Sequence, residues 1–488
     1  MDQSKTPVLD ALAAYHAGGQ LPFTPPGHKQ GRGADPRVLG VLGEAVFRSD
    51  VLATSGLDDR TSSHGLVEEA QALMADAVGA DHAFFSTCGS SLSVKSAMLS
   101  VAGPHEKLVV GRDAHKSVVS GLILAGIQPV WVDPQWDADR LLAHPPSAEA
   151  FEAAFAEHHD ARGALVTTPT PYGTCSDLAA IAEVCHRRGR PLVVDEAWGA
   201  HLPFHPDLPA WAMDAGADVC VTSVHKMGSG LEQSSVFHLQ GDLVRPEVLK
   251  SREDLLGTTS PSVLVYAALD GWRRQMAEHG TALYTDALAL AEQVRARIAR
   301  IDGMRVHGRD DFCGAGKAAD MDPLQIIVDI SALEVTGYRA ADWLRRHHRI
   351  NLHIADHRRI SVQLTHADDH GTAARLLTAL TGFAAHAPSL RTGRPVEVPP
   401  PLRIRLEQAA LPRDAFFGPT EQVPWNEADG RIAAEMLTPY PPGVPVAVPG
   451  ERLTTDVLRY LRSGIDAGMV VPDAVDTAVR SVRVSCDV

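Results

Sequence analysis

The stretch "DVCVTS", residues 218–223, has the composition of a strand buried on both faces, and His225 and Lys226 follow it at once. A lysine amine withdrawn from water loses basicity and becomes a nucleophile able to condense with an aldehyde. A second apolar run, "PLVVDE", ends on Asp195. It carries a carboxylate into or against the core, where it is costly without a cation. A third, "FFSTCGSS", passes through Thr87, Cys88 and Gly89 into a helical pattern that starts at Ser90. Hydroxyls and backbone N–H groups at a helix N-terminus suit an anion such as phosphate. Taken singly, a solvated strand end, a structural ion pair and an ordinary Ser/Thr cap account for each of these.

Together they describe one ligand. Strand ends at the carboxyl edge of a parallel sheet are where such folds bind ligands. An anion, a protonatable ring nitrogen and an aldehyde, matched to Ser/Thr, Asp195 and Lys226, are the groups of pyridoxal 5'-phosphate. His115, in "GRDAHKSVVSG", follows the strand "KLVVG" at a helix start, placed either to stack on the cofactor ring or to cap the helix.

These residues need a scaffold, and the pattern from about residue 65 supplies one. Helices "LVEEAQALMADAVG", "SSLSVKSAMLSVA", "KSVVSGLILAG" and "DLAAIAEVCHRRG" alternate with strands "HAFFST", "KLVVG", "PVWV", "GALVTT", "PLVVDE" and "DVCVTS". Such alternation predicts βαβ crossovers and a mainly parallel sheet covered on both faces. Residues 1–60 form an N-terminal segment broken by "LPFTPPGHKQGRG", and 61–283 form the large cofactor-binding domain. A long helix over 284–301 opens a smaller α+β domain, 284–388, with strands "LQIIVDI", "INLHI" and "RISVQL". The proline-marked "RTGRPVEVPPP" precedes a turn-rich C-terminal domain, 401–488. "GAGK" at 314–317 lacks the spacing of a phosphate loop and is set aside.

Composition narrows the classes. With 45% hydrophobic and 22% charged residues over 488 positions, the chain reads as globular and multidomain. Its formal charge of −15, with no basic stripe, argues against nucleic acid and suits a cationic substrate. No apolar run reaches the length of a membrane span, and the first residues lack the features of an export signal. The six cysteines have no CxxC spacing, which predicts neither a disulfide framework nor a metal site and fits a reducing cytoplasm.

The motifs resemble those of the fold-type-I, pyridoxal-phosphate-dependent ornithine/lysine/arginine decarboxylases. The likeness runs through "PFTPPGHKQG", "GLDDRTSSHGLVEEAQ", "RDAHKSVVSGLILAG", "TPTPYGTCSDL", "VDEAWGAH", "TSVHKMGSGLEQSS" and "LPRDAFFGPTEQVPWNEADGRIAAEMLTPYPPGVPVAVPGE". The resemblance implies an aspartate-aminotransferase-type large domain, a smaller α+β domain and a C-terminal decarboxylase domain. Lys226 would hold the cofactor aldehyde, Asp195 would pair with its ring nitrogen, and His115 would stack on the ring. Thr87, Cys88, Gly89, Ser90, Ser223 and His225 would surround the phosphate, Trp198 would lie near the ring oxygen, and Lys226 or His225 would return a proton to Cα. Thr259 and Ser260 would reach the phosphate across the interface of a homodimer with shared active sites. Asp58, Asp59 and Glu435 are the candidates for the distal cation of the substrate. The chain starts almost at "PGHKQG", as in the short form without the N-terminal wing domain. Two departures stand out: "STCGSS" at the phosphate loop, and His353 where the family usually has glutamate.

The expected reaction is decarboxylation of a basic amino acid, arginine ahead of lysine and ornithine, in the cytoplasm and leading to polyamines. Aminotransferase, lyase or oxidative deaminase chemistry on the same lysine is the alternative among enzymes. A non-catalytic regulatory homologue is the alternative outside them.

Overall fold

A computed structural model describes residues 1–52, 57, 65–391, 396–440 and 442–486, except for the side chains of 401 and 402. Two compact units divide the chain. One comprises Met1–Ser100 with Val193–Ala282, the other Val101–Leu192 with Leu283–Val488.

In the first unit, strands His82–Ser86, Ser235–Leu239, Val219–Ser223 and Leu192–Asp195 lie side by side in that order. Leu192–Asp195 and Val219–Ser223 are parallel, with Asp195 opposite Val221. Ser235–Leu239 runs antiparallel to both of its neighbours, aligning Ser86 with Ser235 and Ser235 with Ser223. His82–Ser86, Leu192–Asp195 and Val219–Ser223 therefore share one direction, and their carboxyl ends meet at one edge. Every residue of Val219–Ser223, Ser235–Leu239 and Leu192–Asp195 is buried, which explains the unbroken apolar runs. The polar residues come where each strand stops.

The sequence pattern misses Ser235–Leu239, because "SSVFHL" mixes serines and a histidine into its apolar residues. It also starts the long helix too late: the helix spans Val263–Ile298, 36 residues, rather than 284–301. Gly271 and Gly280 interrupt its first half and mask its period. A methyl at Gly280 would lie 2.9 Å from Phe204 Cβ, so that glycine marks close packing, not a break. The N-terminal helix Pro7–Gly18 is held by this long helix, whose Asp270 accepts the N–H groups of Val8 and Leu9 at 2.9 and 3.4 Å.

In the second unit, parallel strands Ala164–Thr167, Lys107–Gly111 and Gln128–Val132 lie in that order. Helices Lys116–Ala125, Ala148–Glu157 and Leu178–His186 connect or follow them. A separate four-stranded antiparallel sheet is built from Arg305–His307, Gln325–Asp329, Arg359–Gln363 and Ile354–Ala355. The C-terminal region is more regular than its many turn residues suggest. Helix Thr455–Asp466 buries Val457, Leu458 and Leu461, and strands Thr420–Pro424 and Ser481–Ser485 pair beside it. Its core joins Leu437, Ala447, Leu453 and Val482.

Candidate active site

The carboxyl edge of the first unit brings Asp195, Trp198, Ser223, Lys226 and the Thr87–Ser90 turn to adjacent strand ends. Lys226 sits in the short helix Val224–Met227, directly after its strand. Its Nζ lies 4.0 Å from the centroid of the Trp198 ring, so aromatic face rather than water covers the amine. Burial pulls its pKa down to about 8, with the negative charge of Asp195 acting the other way. Burial likewise raises the pKa of Asp195, and the Lys226 ammonium offsets part of that rise. Asp195 Oδ1 also accepts the Ala197 N–H at 3.3 Å, fixing the carboxylate at the turn.

That turn is held from beneath. Glu196 is buried, its pKa is well above the ordinary carboxylate range because of burial, and the Cys220 thiol donates to its Oε2 at 3.3 Å. A side chain on Gly199 would run into Glu196, so the turn carrying Trp198 closes only over glycine. Glycines after the lysine play the same part. A methyl at Gly228 would lie 2.7 Å from the Trp272 ring, and one at Gly230 2.7 Å from Ser234 Cβ. The pattern "KMGSG" could have signalled this close packing; Glu196 has no such signal, since its raised pKa comes chiefly from burial.

At the other end of the edge, the Ser223 hydroxyl donates to Ser90 Oγ at 2.6 Å. The Cys88 N–H donates to Ser86 Oγ at 3.3 Å, and the Gly89 N–H donates to the Gln233 carbonyl at 3.0 Å. Gly89 takes φ +76°, a conformation that favours glycine, where the chain turns into helix Ser90–Val101. His225 Nδ1 lies 3.0 Å from the Ser234 carbonyl and donates to it, while the Ser234 hydroxyl is buried with no hydrogen-bond partner. Thr87 is buried; Thr259 and Ser260 are exposed in the turn before the long helix. The donor set suits pyridoxal phosphate: serine hydroxyls and first-turn amides for an anion, a buried carboxylate for a ring nitrogen, and a lysine of lowered pKa for an aldehyde.

The remaining candidates belong to other segments of the chain. His115 belongs to the second unit, where it N-caps helix Lys116–Ala125; its Nδ1 accepts the Ser117 N–H at 3.2 Å. Glu435 lies in the C-terminal domain, outside any helix. It is buried, its Oε2 accepts the Val475 N–H and its Oε1 the Arg483 N–H, each at 2.6 Å. Both oxygens brace the C-terminal strands, each through one accepted hydrogen bond. Asp58 and Asp59 lie outside the described residues. His353 Nε2 donates to the Pro171 carbonyl at 3.1 Å within the second unit, a bond a glutamate could not donate when ionised. Among the described residues no cluster of His, Cys, Asp and Glu could hold a metal ion, and no helix is long and apolar enough to cross a membrane.

Solved structures place this arrangement in a class. The fold matches the constitutive lysine decarboxylase of Escherichia coli with a TM-score of 0.82 and 22% identity, covering 99% of this chain and 82% of that one. It matches the lysine decarboxylase LdcF of Francisella novicida at 0.79 and 20%, covering 98% and 79%. The fold is that of the type-I pyridoxal-phosphate enzymes. The Orn/Lys/Arg decarboxylase major domain matches residues 6–310, and the C-terminal domain of the same family matches 403–473. The chain is 38% identical to an arginine decarboxylase of Halalkalibacterium halodurans over 99% of its own length and 98% of the relative's. It is 37% identical to an arginine decarboxylase of Bacillus subtilis, again over 99% and 98%. The chain belongs to the Orn/Lys/Arg decarboxylase family. It is a decarboxylase, and its cofactor is pyridoxal phosphate.

Proposed function

We propose that the protein converts arginine to agmatine and CO2, and that Lys226, Asp195, His225 and His115 carry the reaction. The observation that carries this reading is Lys226 itself: buried at a strand end against Trp198, its pKa lowered to about 8, with Asp195 as its counter-charge. The full-length identity to arginine decarboxylases favours arginine among the basic amino acids. Once bound, pyridoxal phosphate supplies an electron sink for the pair left behind when the carboxylate departs as CO2.

The chain's residues do the rest. Asp195 would pair with the cofactor's ring nitrogen and keep a proton on it. Ser90, Ser223 and the first-turn amides of helix Ser90–Val101 anchor the phosphate, with Thr87, Cys88, Gly89 and His225 around it. Trp198 keeps water from the Lys226 amine. Lys226 is the residue that would hold the cofactor aldehyde. Lys226 or His225 would deliver a proton to Cα, a general-acid role that requires reach to that atom. Thr259 and Ser260, exposed in one protomer, complete the phosphate site of a second in a homodimer. The working division is 1–60, 61–283, 284–388 and 401–488, in a cytoplasmic enzyme that feeds polyamine synthesis.

The test supplies the purified, cofactor-loaded protein separately with arginine, lysine and ornithine and measures CO2 and amine together. Equal amounts of CO2 and agmatine from arginine, with at least a tenfold lower kcat/KM for the other two, is the expected result. Keto acid or ammonia in place of CO2 would overturn it.

A further inference from the structure

The C-terminal domain grips the one helix whose cap is His115. Arg112, three residues before it, donates from Nε and Nη2 to the two oxygens of Glu451 at 3.0 and 2.9 Å. The same guanidinium donates to the Pro445 and Val446 carbonyls at 2.8 and 3.1 Å. Glu451 is buried, so this is a bidentate pair held away from solvent. Lys116, the next residue after His115, donates from Nζ to both oxygens of Asp473 at 2.9 and 3.2 Å, and its N–H donates to the Gly443 carbonyl at 3.0 Å. At the far end of the helix, Arg413 donates to the Ile123 and Leu124 carbonyls at 3.2 and 2.6 Å, satisfying acceptors that a helix end leaves open. Between these ends, Val119 and Ile123 pack on Val448, with Phe416 and Met436 beside them.

The imidazole is pinned at both edges. Its Nδ1 accepts the Ser117 N–H, which places the proton of the neutral ring on Nε2. The opposite edge lies against Gly443, which has φ +91°; a methyl there would sit 3.0 Å from both Cδ2 and Nε2. Only glycine has the backbone freedom and the room for this position.

We infer that Gly443 and its neighbours in the C-terminal domain are positioning residues, and that they set the plane of the His115 ring. The C-terminal domain thereby acts on cofactor binding through His115. This rests on the reading of His115 as the residue that stacks on the cofactor ring. A methyl at this distance forces the ring to give by a few tenths of an ångström, which weakens that stacking.

The test is a double-mutant cycle on the full-length apoprotein, reading pyridoxal-phosphate affinity by absorbance titration alongside kcat. His115→Ala, Gly443→Ala and the double variant form the cycle. Gly430→Ala is the control: it has a similar φ of +77° but nothing within 4 Å of a Cβ. Gly443→Ala is expected to weaken cofactor affinity about tenfold, to add nothing in the His115→Ala background, and to exceed Gly430→Ala clearly. Impaired His115→Ala with a silent, or fully additive, Gly443→Ala would overturn the inference while leaving the role of His115 intact. A His115→Ala protein of undiminished affinity would overturn the stacking role and the inference with it. Should Gly443→Ala fail to fold, Asp473→Asn, which frees Lys116 beside His115, completes the same cycle with the same criteria.

Discussion

At Lys226 two effects oppose each other. Desolvation favours the neutral amine, and the carboxylate of Asp195 favours the ammonium; desolvation prevails and leaves the pKa at about 8. The neutral amine is the form that attacks an aldehyde, so cofactor uptake by the apoprotein should rise with pH and reach half its maximum near 8. Removing the anion removes the influence that holds this pKa up. Asp195→Asn should therefore shift the midpoint of uptake to lower pH while weakening the final affinity. Stopped-flow absorbance over a pH series measures both quantities. A midpoint that stays put or moves upward would show that Asp195 does not act on Lys226.

Elements place these residues through register. Because Ser235–Leu239 is antiparallel to both neighbours, Ser86, Ser235 and Ser223 fall in line, and the strands before Lys226 and Ser90 end together. A second element-level device is the buried pair Asp270–Arg273 on the long helix, both fully enclosed and 2.8 Å apart. Arg273 also donates to the Gln3 and Lys5 carbonyls, while Asp270 receives the first turn of helix Pro7–Gly18. Arg273→Met strands the Asp270 carboxylate in the core and should cost about 3–5 kcal/mol. Asp270→Leu/Arg273→Met should regain much of this, because it leaves no lone charge. Thermal unfolding, with hydrogen exchange over residues 1–19, checks both points; a single variant as stable as the parent would refute the clamp. Neither device was legible in the sequence. Lys226, Asp195 and Ser90 announced themselves as polar residues ending apolar runs. Ser235–Leu239 hid behind its serines, and the first half of the long helix hid behind glycines placed for close packing. The burial of Glu435 was not legible because its partners, Val475 and Arg483, are distant in sequence, which no local pattern reports.

At the scale of the whole molecule, a chain of 488 residues and net charge −15 carries two compact units. The residues gathered at the carboxyl edge of the first unit come from widely separated segments. The alternation of helix and strand was enough to anticipate the parallel strands, because that pattern is repeated and local. The C-terminal helix Thr455–Asp466 was not, since "TPYPPGVPVAVPGE" ahead of it reads as turns and draws attention from the amphipathic run that follows. What the whole account depends on is that one lysine, among all those in the chain, binds the cofactor. Borohydride reduction of the loaded protein, followed by peptide mass mapping, tests this directly. The prediction is a single pyridoxyl adduct on Lys226, absent from Lys226→Ala along with all turnover; an adduct on another lysine, or turnover surviving in Lys226→Ala, would contradict it.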